Sequence, residues 1–296
     1  MLLTLAARCL KAKLTPAKGA RPAMVLEDVP KFARDDLGLS GLVLSTDLLV
    51  GADRQKLTKV LESADKAGCP CLVLVETEPQ PFADSDSAKV EAAVDRCQRV
   101  AQAAHWLGCS AFAVPIKGAD TDSDLLTAGI NLKPVSRRAE KLDLNLCIVP
   151  TEGLTATPDR VTELLKKIGG FRVGTLPDFQ AASASPEPNV YLRRLVPYAS
   201  AVIASSVKFK PVKGKPLSAG KHEPYDLHEY AKLLVAVGYQ GPVALDYRGS
   251  GELIENLVAT RDIIASVITA EEPVDDDDPG LAKLLGDLSD DAPDET

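Results

Sequence analysis

Eight times along this chain a short apolar run is followed by a segment with helical spacing. The runs are Leu2–Ala7, Gly41–Leu44, Cys71–Val75, Ala111–Val114, Leu144–Val149, Arg172–Thr175, Ala201–Val207 and Val243–Asp246. They are β-branched and apolar without polar alternation, as parallel strands buried on both faces must be. The helical segments are Val25–Leu37, Asp53–Ala67, Asp86–Leu107, Ser123–Lys141, Thr157–Ile168, Asn189–Tyr198, Asp226–Val237 and Gly251–Ile268. Thr157-Pro158 and Asp226 read as helix starts, because a side-chain oxygen there accepts an orphan amide and proline suits the first turn. The segments KAGCP, WLGCS, KIGGF and AVGYQGP stop helices at glycine. Eight such units in about 270 residues predict an α/β fold, an eight-stranded (β/α)8 TIM barrel, over an open doubly wound sheet. No glycine-rich dinucleotide fingerprint follows any run.

Charge divides the chain at residue 270. Residues 271–296 carry eleven acidic side chains against Lys283 alone, a net charge of −10. Residues 1–270 hold 33 basic and 31 acidic side chains, or +2. The expected organisation is a barrel over 1–270 and a flexible, disordered acidic tail over 271–296. Within the tail, Leu281, Leu284, Leu285 and Leu288 share one helical face, so a docking helix is the alternative there. A near-neutral body lacks the basic excess of a nucleic-acid footprint. No apolar run approaches the roughly 18 residues of a membrane span. The six cysteines, Cys9, Cys69, Cys71, Cys97, Cys109 and Cys147, lie in apolar strand-like or helical stretches, and Cys69 and Cys71 are too close for a metal CxxC. They read as reduced, buried thiols of a cytoplasmic protein. Met1–Cys9 lacks a positive n-region and is not read as a signal peptide.

In barrels of this class the chemistry sits where strands end. The polar residues there are Arg8; Ser45, Thr46 and Asp47; Glu76, Thr77 and Glu78; Lys117; Thr151 and Glu152; Asp178; Ser205, Ser206, Lys208 and Lys210; Asp246 and Arg248. No histidine ends a strand: His105 and His228 fall on helices, and His222 falls in the loop after the seventh run. Ser205 and Ser206 therefore have no partner for a nucleophilic triad. A lysine-rich loop, Lys208 to Lys221, follows the seventh run, and Arg248-Gly-Ser-Gly opens the last helix. Lys208, Lys210, Arg248, Gly249, Ser250 and Gly251 form a candidate anion site, since a helix N-terminus beside cations suits phosphate.

The stretch VKFK, the lysine-rich loop and then HEPYDLHEYAKLLVAVGYQGPVALDYRGSGELIENLVATRDII resembles the C-terminal third of the xylose isomerase-like TIM barrels. FRVGTLPDF and LEDVPKFARDDLGLSGLVLS are similar to the sixth-strand region and the first helix of that family of sugar-phosphate isomerases and epimerases. The resemblance spans essentially residues 1–270. It implies one divalent cation held by Glu, Asp, His and Glu from strands five to eight. Those positions fall on Val149, Asp178, Ser206 and Asp246, and a further family histidine falls on Ala181. Two carboxylates remain, which implies no cofactor or a weakly bound divalent cation, Mg2+ or Mn2+. The expected protein is a sugar or sugar-phosphate isomerase/epimerase whose metal centre is weakened or lost. Asp178, Asp246, Glu152 and Lys208 are its candidate catalytic residues, and its ligand is a small carbohydrate or phosphorylated compound. The alternative is a non-catalytic barrel serving as a binding or interaction module.

Overall fold

Each apolar run forms a short parallel strand, and the eight curl into one sheet. The computed structural model describes residues 1–15 and 22–270. Six barrel strands are β1 (Leu2–Ala6), β2 (Leu42–Ser45), β3 (Cys71–Val75), β4 (Ala111–Pro115), β5 (Asn145–Val149) and β6 (Val173–Thr175). The seventh is β7 (Val202–Ser206) and the eighth is β10 (Pro242–Tyr247). Ladders run in the order β6-β5-β4-β3-β2-β1-β10-β7. The seam between β6 and β7 has two isolated parallel bridges, Thr175 to Ala199 and Asp178 to Ile203. Across it Ile203 N donates to the Pro177 carbonyl at 2.9 Å and Ser200 N to that of Thr175 at 3.2 Å. The result is a (β/α)8 barrel, as the eight repeated units predict.

Helices cover the outside. The main ones are α3 (Arg54–Ala67), α4 (Ser87–Trp106), α5 (Asp122–Lys141), α6 (Pro158–Ile168), α9 (Leu227–Ala236) and α10 (Leu253–Ala270). Their starts follow capping chemistry: Asp53 accepts from Lys56 N at 2.8 Å, and Asp226 accepts from His228 N at 2.9 Å. Helix α3 stops at Gly68, whose φ of 59° an L side chain resists.

Two apolar clusters hold the fold. The larger lies between strands and helices and includes Phe82, Phe112, Phe179 and Leu74, all fully buried. The smaller fills the barrel and is built of small residues: Ala6, Val43, Val73, Ala111, Ala113, Cys147, Leu176, Ala201, Ile203 and Ala244. Its alanines lie on β1, β4 and β10, with Ala201 just before β7.

Three segments differ from the sequence expectation. The helix expected over Asn189–Tyr198 is instead α7 (Phe179–Ala184), α8 (Pro188–Leu195) and a 3-10 turn (Val196–Tyr198). Six residues are too few for a readable helical period, and α7 exists because the Asp178 carboxylate accepts from Gln180 N and Ala181 N. The lysine-rich loop is partly a hairpin: β8 (Lys208–Lys210) pairs antiparallel with β9 (Lys221–Glu223). Helix α2 (Val29–Asp35) starts later than Val25, after a 3-10 turn (Leu26–Asp28), because Pro30 sits in its first turn. The expectations for the acidic tail, 271–296, fall outside the described residues.

Candidate functional site

Period-two alternation decides which strand-end residues face inward. Ala244, Asp246 and Arg248 form one inward series, with Leu176 and Asp178, Ala6 and Arg8, and Cys147, Val149 and Thr151 beside them. Their upper members line a cavity of about 200 Å³ at the mouth of the barrel. Its walls are apolar, and its rim carries Arg8, Glu76, Asp178, Asp246 and Arg248. The β10–β7 register sets Asp246 opposite Ser205 and Tyr247 opposite Ser206.

Arg248 organises this rim. Its Nε donates to Asp246 Oδ2 at 2.7 Å, its Nη1 to Gln180 Oε1 at 2.9 Å and to Asp178 Oδ1 at 3.2 Å, and its Nη2 pairs with Asp178 Oδ2. Asp178 Oδ1 also accepts from Gln180 N at 2.8 Å, Ala181 N at 3.1 Å and Ser205 Oγ at 3.0 Å. That carboxylate has donors on both oxygens, four of them on Oδ1 and one on Oδ2. Asp246 differs. Its Oδ1 has no hydrogen-bond partner among the described residues, and burial pushes its carboxyl above the ordinary value while Arg248 opposes the shift.

These residues do not fit a divalent cation as they stand. The inward fifth-strand position is Val149, an apolar wall of the cavity. Among the described residues no group of three His, Cys, Asp or Glu side chains could hold a metal. Both carboxylates of the expected metal pair are instead tied to one guanidinium.

The other candidates are dispersed. Glu152 is exposed and is not among the residues lining the cavity. Lys208 is exposed on the hairpin, and Lys210 there pairs with Glu223. Val207 carbonyl oxygen packs against Gly249, where a Cβ would collide with it, so this glycine serves the chain's own packing. Gly251 N donates to Tyr247 Oη at 2.8 Å, and Ser250 is exposed. The six anion-site candidates therefore do not converge on one pocket. Ser206, matched to a family histidine, faces outward and accepts from Thr260 Oγ1 at 2.7 Å. Ser205 is the inward residue, and the alternation Ala201, Ile203, Ser205 was the signal for it.

Two buried groups stand outside the catalytic, anion and metal candidates of the sequence. Glu76 at the rim is fully buried; it accepts from Arg96 Nε at 2.6 Å and from Thr46 Oγ1 at 3.0 Å. His222 is buried under the hairpin, where its Nε2 accepts from Val207 N at 2.9 Å and its Nδ1 donates to the Tyr225 carbonyl at 2.7 Å. Both ring nitrogens are thus committed to backbone, with the proton on Nδ1. Burial holds its pKa below the usual 6.5. The unfolded chain then binds the extra proton first, so the hairpin is fully stable above 6.5 and loses stability as the pH falls through the folded value. After correction for intrinsic rates, protection of the Val207 amide from hydrogen exchange should fall on going from pH 7.5 to 5 in wild type. A His222→Gln variant should exchange equally at both values after correction for intrinsic rates.

The chain belongs to the xylose isomerase-like TIM barrel family, whose model matches residues 35–267. D-psicose 3-epimerase from Clostridium cellulolyticum H10, solved with D-tagatose, superposes with a TM-score of 0.68 at 15% identity, covering 90% of this chain and 99% of that one. An L-ribulose 3-epimerase gives 0.68 at 13% identity, covering 92% and 94%. A xylose isomerase-like TIM barrel protein from Mycobacterium smegmatis, solved in complex with magnesium, gives 0.66 at 16% identity, covering 91% and 98%. At such identities the likeness is one of fold. A comparison with curated proteins gives no match. No helix among the described residues is long and apolar enough to cross a membrane.

Proposed function

We propose that the barrel mouth binds a small carbohydrate or its phosphate, and that Asp246 is the base of an isomerase-type proton transfer there without a resident metal. The observation that carries this reading is the asymmetry of the two carboxylates. Asp246 keeps Oδ1 unpartnered at the cavity, and its raised pKa makes it a better proton acceptor than an exposed aspartate. Asp178 has its oxygens committed and acts as a positioning residue for Arg248. A single base takes a proton from one carbon and returns it to the next on the same face, while the hydroxyl proton passes through solvent from one enediol oxygen to the other, which is isomerisation. Inversion at one carbon needs a second acid on the opposite face, and Val149 supplies none. Arg248 beside the cavity stabilises the enolate oxygen formed on proton removal. Arg8, whose nearest carboxylate is Asp47 at 3.9 Å, is the cation available to a phosphate or an acidic ligand.

The cysteines support a reducing, cytoplasmic setting: none is disulfide-bonded, and burial pushes Cys71 and Cys97 up to about 12. A second reading, a non-catalytic binding barrel, is favoured by the same ion pairs, because they occupy the polar rim. The two are separated by incubating the protein, free of added metal, with ketoses and ketose phosphates in D2O and following deuterium uptake at the carbon beside the carbonyl by NMR. Uptake is expected, and Asp246→Asn should slow it by about 10²–10⁴-fold, the usual worth of a positioned base. Binding without uptake favours the module, and uptake unchanged in Asp246→Asn removes that residue from the chemistry.

A further inference from the structure

We propose that Arg248 is a cation built into the chain where side-chain oxygens converge, and that removing its guanidinium unmasks a latent site for a hard divalent cation. The inference rests on the metal-free reading of the rim given above. Three side chains from three places in the fold aim oxygens at this one group: Asp246 from β10, Asp178 from the end of β6, and Gln180 from α7. Two carboxylates and an amide oxygen are the donor class of Mg2+ and Mn2+, with water completing the shell. Without the guanidinium the carboxylates would face one another as an unbalanced −2 at a half-closed cavity, which attracts a counter-ion.

The arginine is held in this role by more than its charge. Its own amide donates to the Ser206 carbonyl at 2.8 Å, and the close packing of Gly249 on Val207 fixes the direction in which the chain leaves β10. The guanidinium fork then satisfies both carboxylates and Gln180 at once, which the point charge of a lysine would not. A tethered cation of this kind does not exchange with solvent and is not removed by chelators.

The test is Mn2+ binding to the full chain, read by the loss of the free-ion EPR signal. Arg248→Met should bind Mn2+ about tenfold or more tightly than wild type, because affinity follows the count of charged ligands left exposed. Arg248→Met/Asp178→Asn and Arg248→Met/Asp246→Asn should each fall back toward wild type. Arg248→Lys, which keeps the charge, should gain nothing. If Arg248→Met is too unstable to handle alone, its melting temperature with and without Mn2+ is the readout. A rise absent from wild type supports the proposal, and no rise overturns it. Wild type and Arg248→Met binding equally weakly would overturn the latent site and leave the metal-free proton transfer standing. Tight binding by wild type would overturn both.

Discussion

Arg96→Ala is expected to destabilise the protein by about 3 kcal/mol, the lower end of the cost of stranding one partner of a buried ion pair. Glu76 is fully buried beside the cavity just past β3, and Arg96 reaches it from α4, the next helix. With the guanidinium gone, Glu76 keeps only hydrogen bonds from Thr46 Oγ1 and from Glu78 N, each at 3.0 Å. Those cannot balance a whole charge taken out of water. The cost lies at the lower end because the Arg96 side chain is 45% exposed. For a chain of this size the melting temperature should fall by roughly 6–12 °C. Glu76→Gln removes the charge and keeps an acceptor for Thr46, so it should cost less than Arg96→Ala. In the double variant, Arg96→Ala should add little to Glu76→Gln, since the coupling is then absent. A loss below about 1 kcal/mol for Arg96→Ala would mean that the pair behaves as an exposed one.

Gly249→Ala is the second large effect. The backbone there approaches the Val207 carbonyl oxygen and the Tyr247 ring so closely that a Cβ overlaps both. One of the two obstacles is backbone, so rotating a side chain does not relieve the clash. The chain after β10 must move, and with it Arg248, whose N–H donates a hydrogen bond to the Ser206 carbonyl that anchors that path. Overpacking of this kind costs about 3 kcal/mol, the upper part of its usual range. The site should suffer more than the fold, because a guanidinium displaced by 1 Å loses its bonds to Asp178 and Asp246 together. Denaturant titration measures the first effect, and deuterium uptake with a ketose measures the second. Gly214→Ala, where a Cβ meets nothing within 4 Å though φ is 75°, is the control for backbone conformation without collision.

Much of the architecture could be read from periodicity alone. The eight apolar runs coincide with the barrel strands to within one or two residues, because strands buried on both faces have no polar residue to blur their ends. The helices were equally plain where a cap and a long amphipathic stripe coincide, as at Thr157-Pro158 and α6. What stayed hidden was short or depended on contacts made at a distance. Helix α7 has a local cap in Asp178 but is too short to show a period, and the hairpin is braced by His222 through Val207 N, fifteen residues away. Asp178 and Asp246 were identifiable as strand-end carboxylates, and both line the cavity. That one arginine two residues past Asp246 engages both of them was not legible, since sequence spacing does not tell where a long side chain turns. Choosing Ser206 over Ser205 was a question of strand phase. A one-residue slip moves a side chain from the cavity to the helix layer.

The seam between β6 and β7 joins these observations. Where the other strands share ladders, these two meet through two isolated bridges, and one of the bridging residues is Asp178. The Ser205 hydroxyl and the Arg248 guanidinium fasten the same aspartate from β7 and from the end of β10. Ligand recognition and closure of the cylinder are therefore written in the same few side chains. A lineage cannot retune this rim one substitution at a time without loosening the wall behind it. Changes at Asp178 and Arg248 should accordingly travel together among descendants, and a new specificity is most accessible from the opposite wall, at Val43, Val75 and Val149.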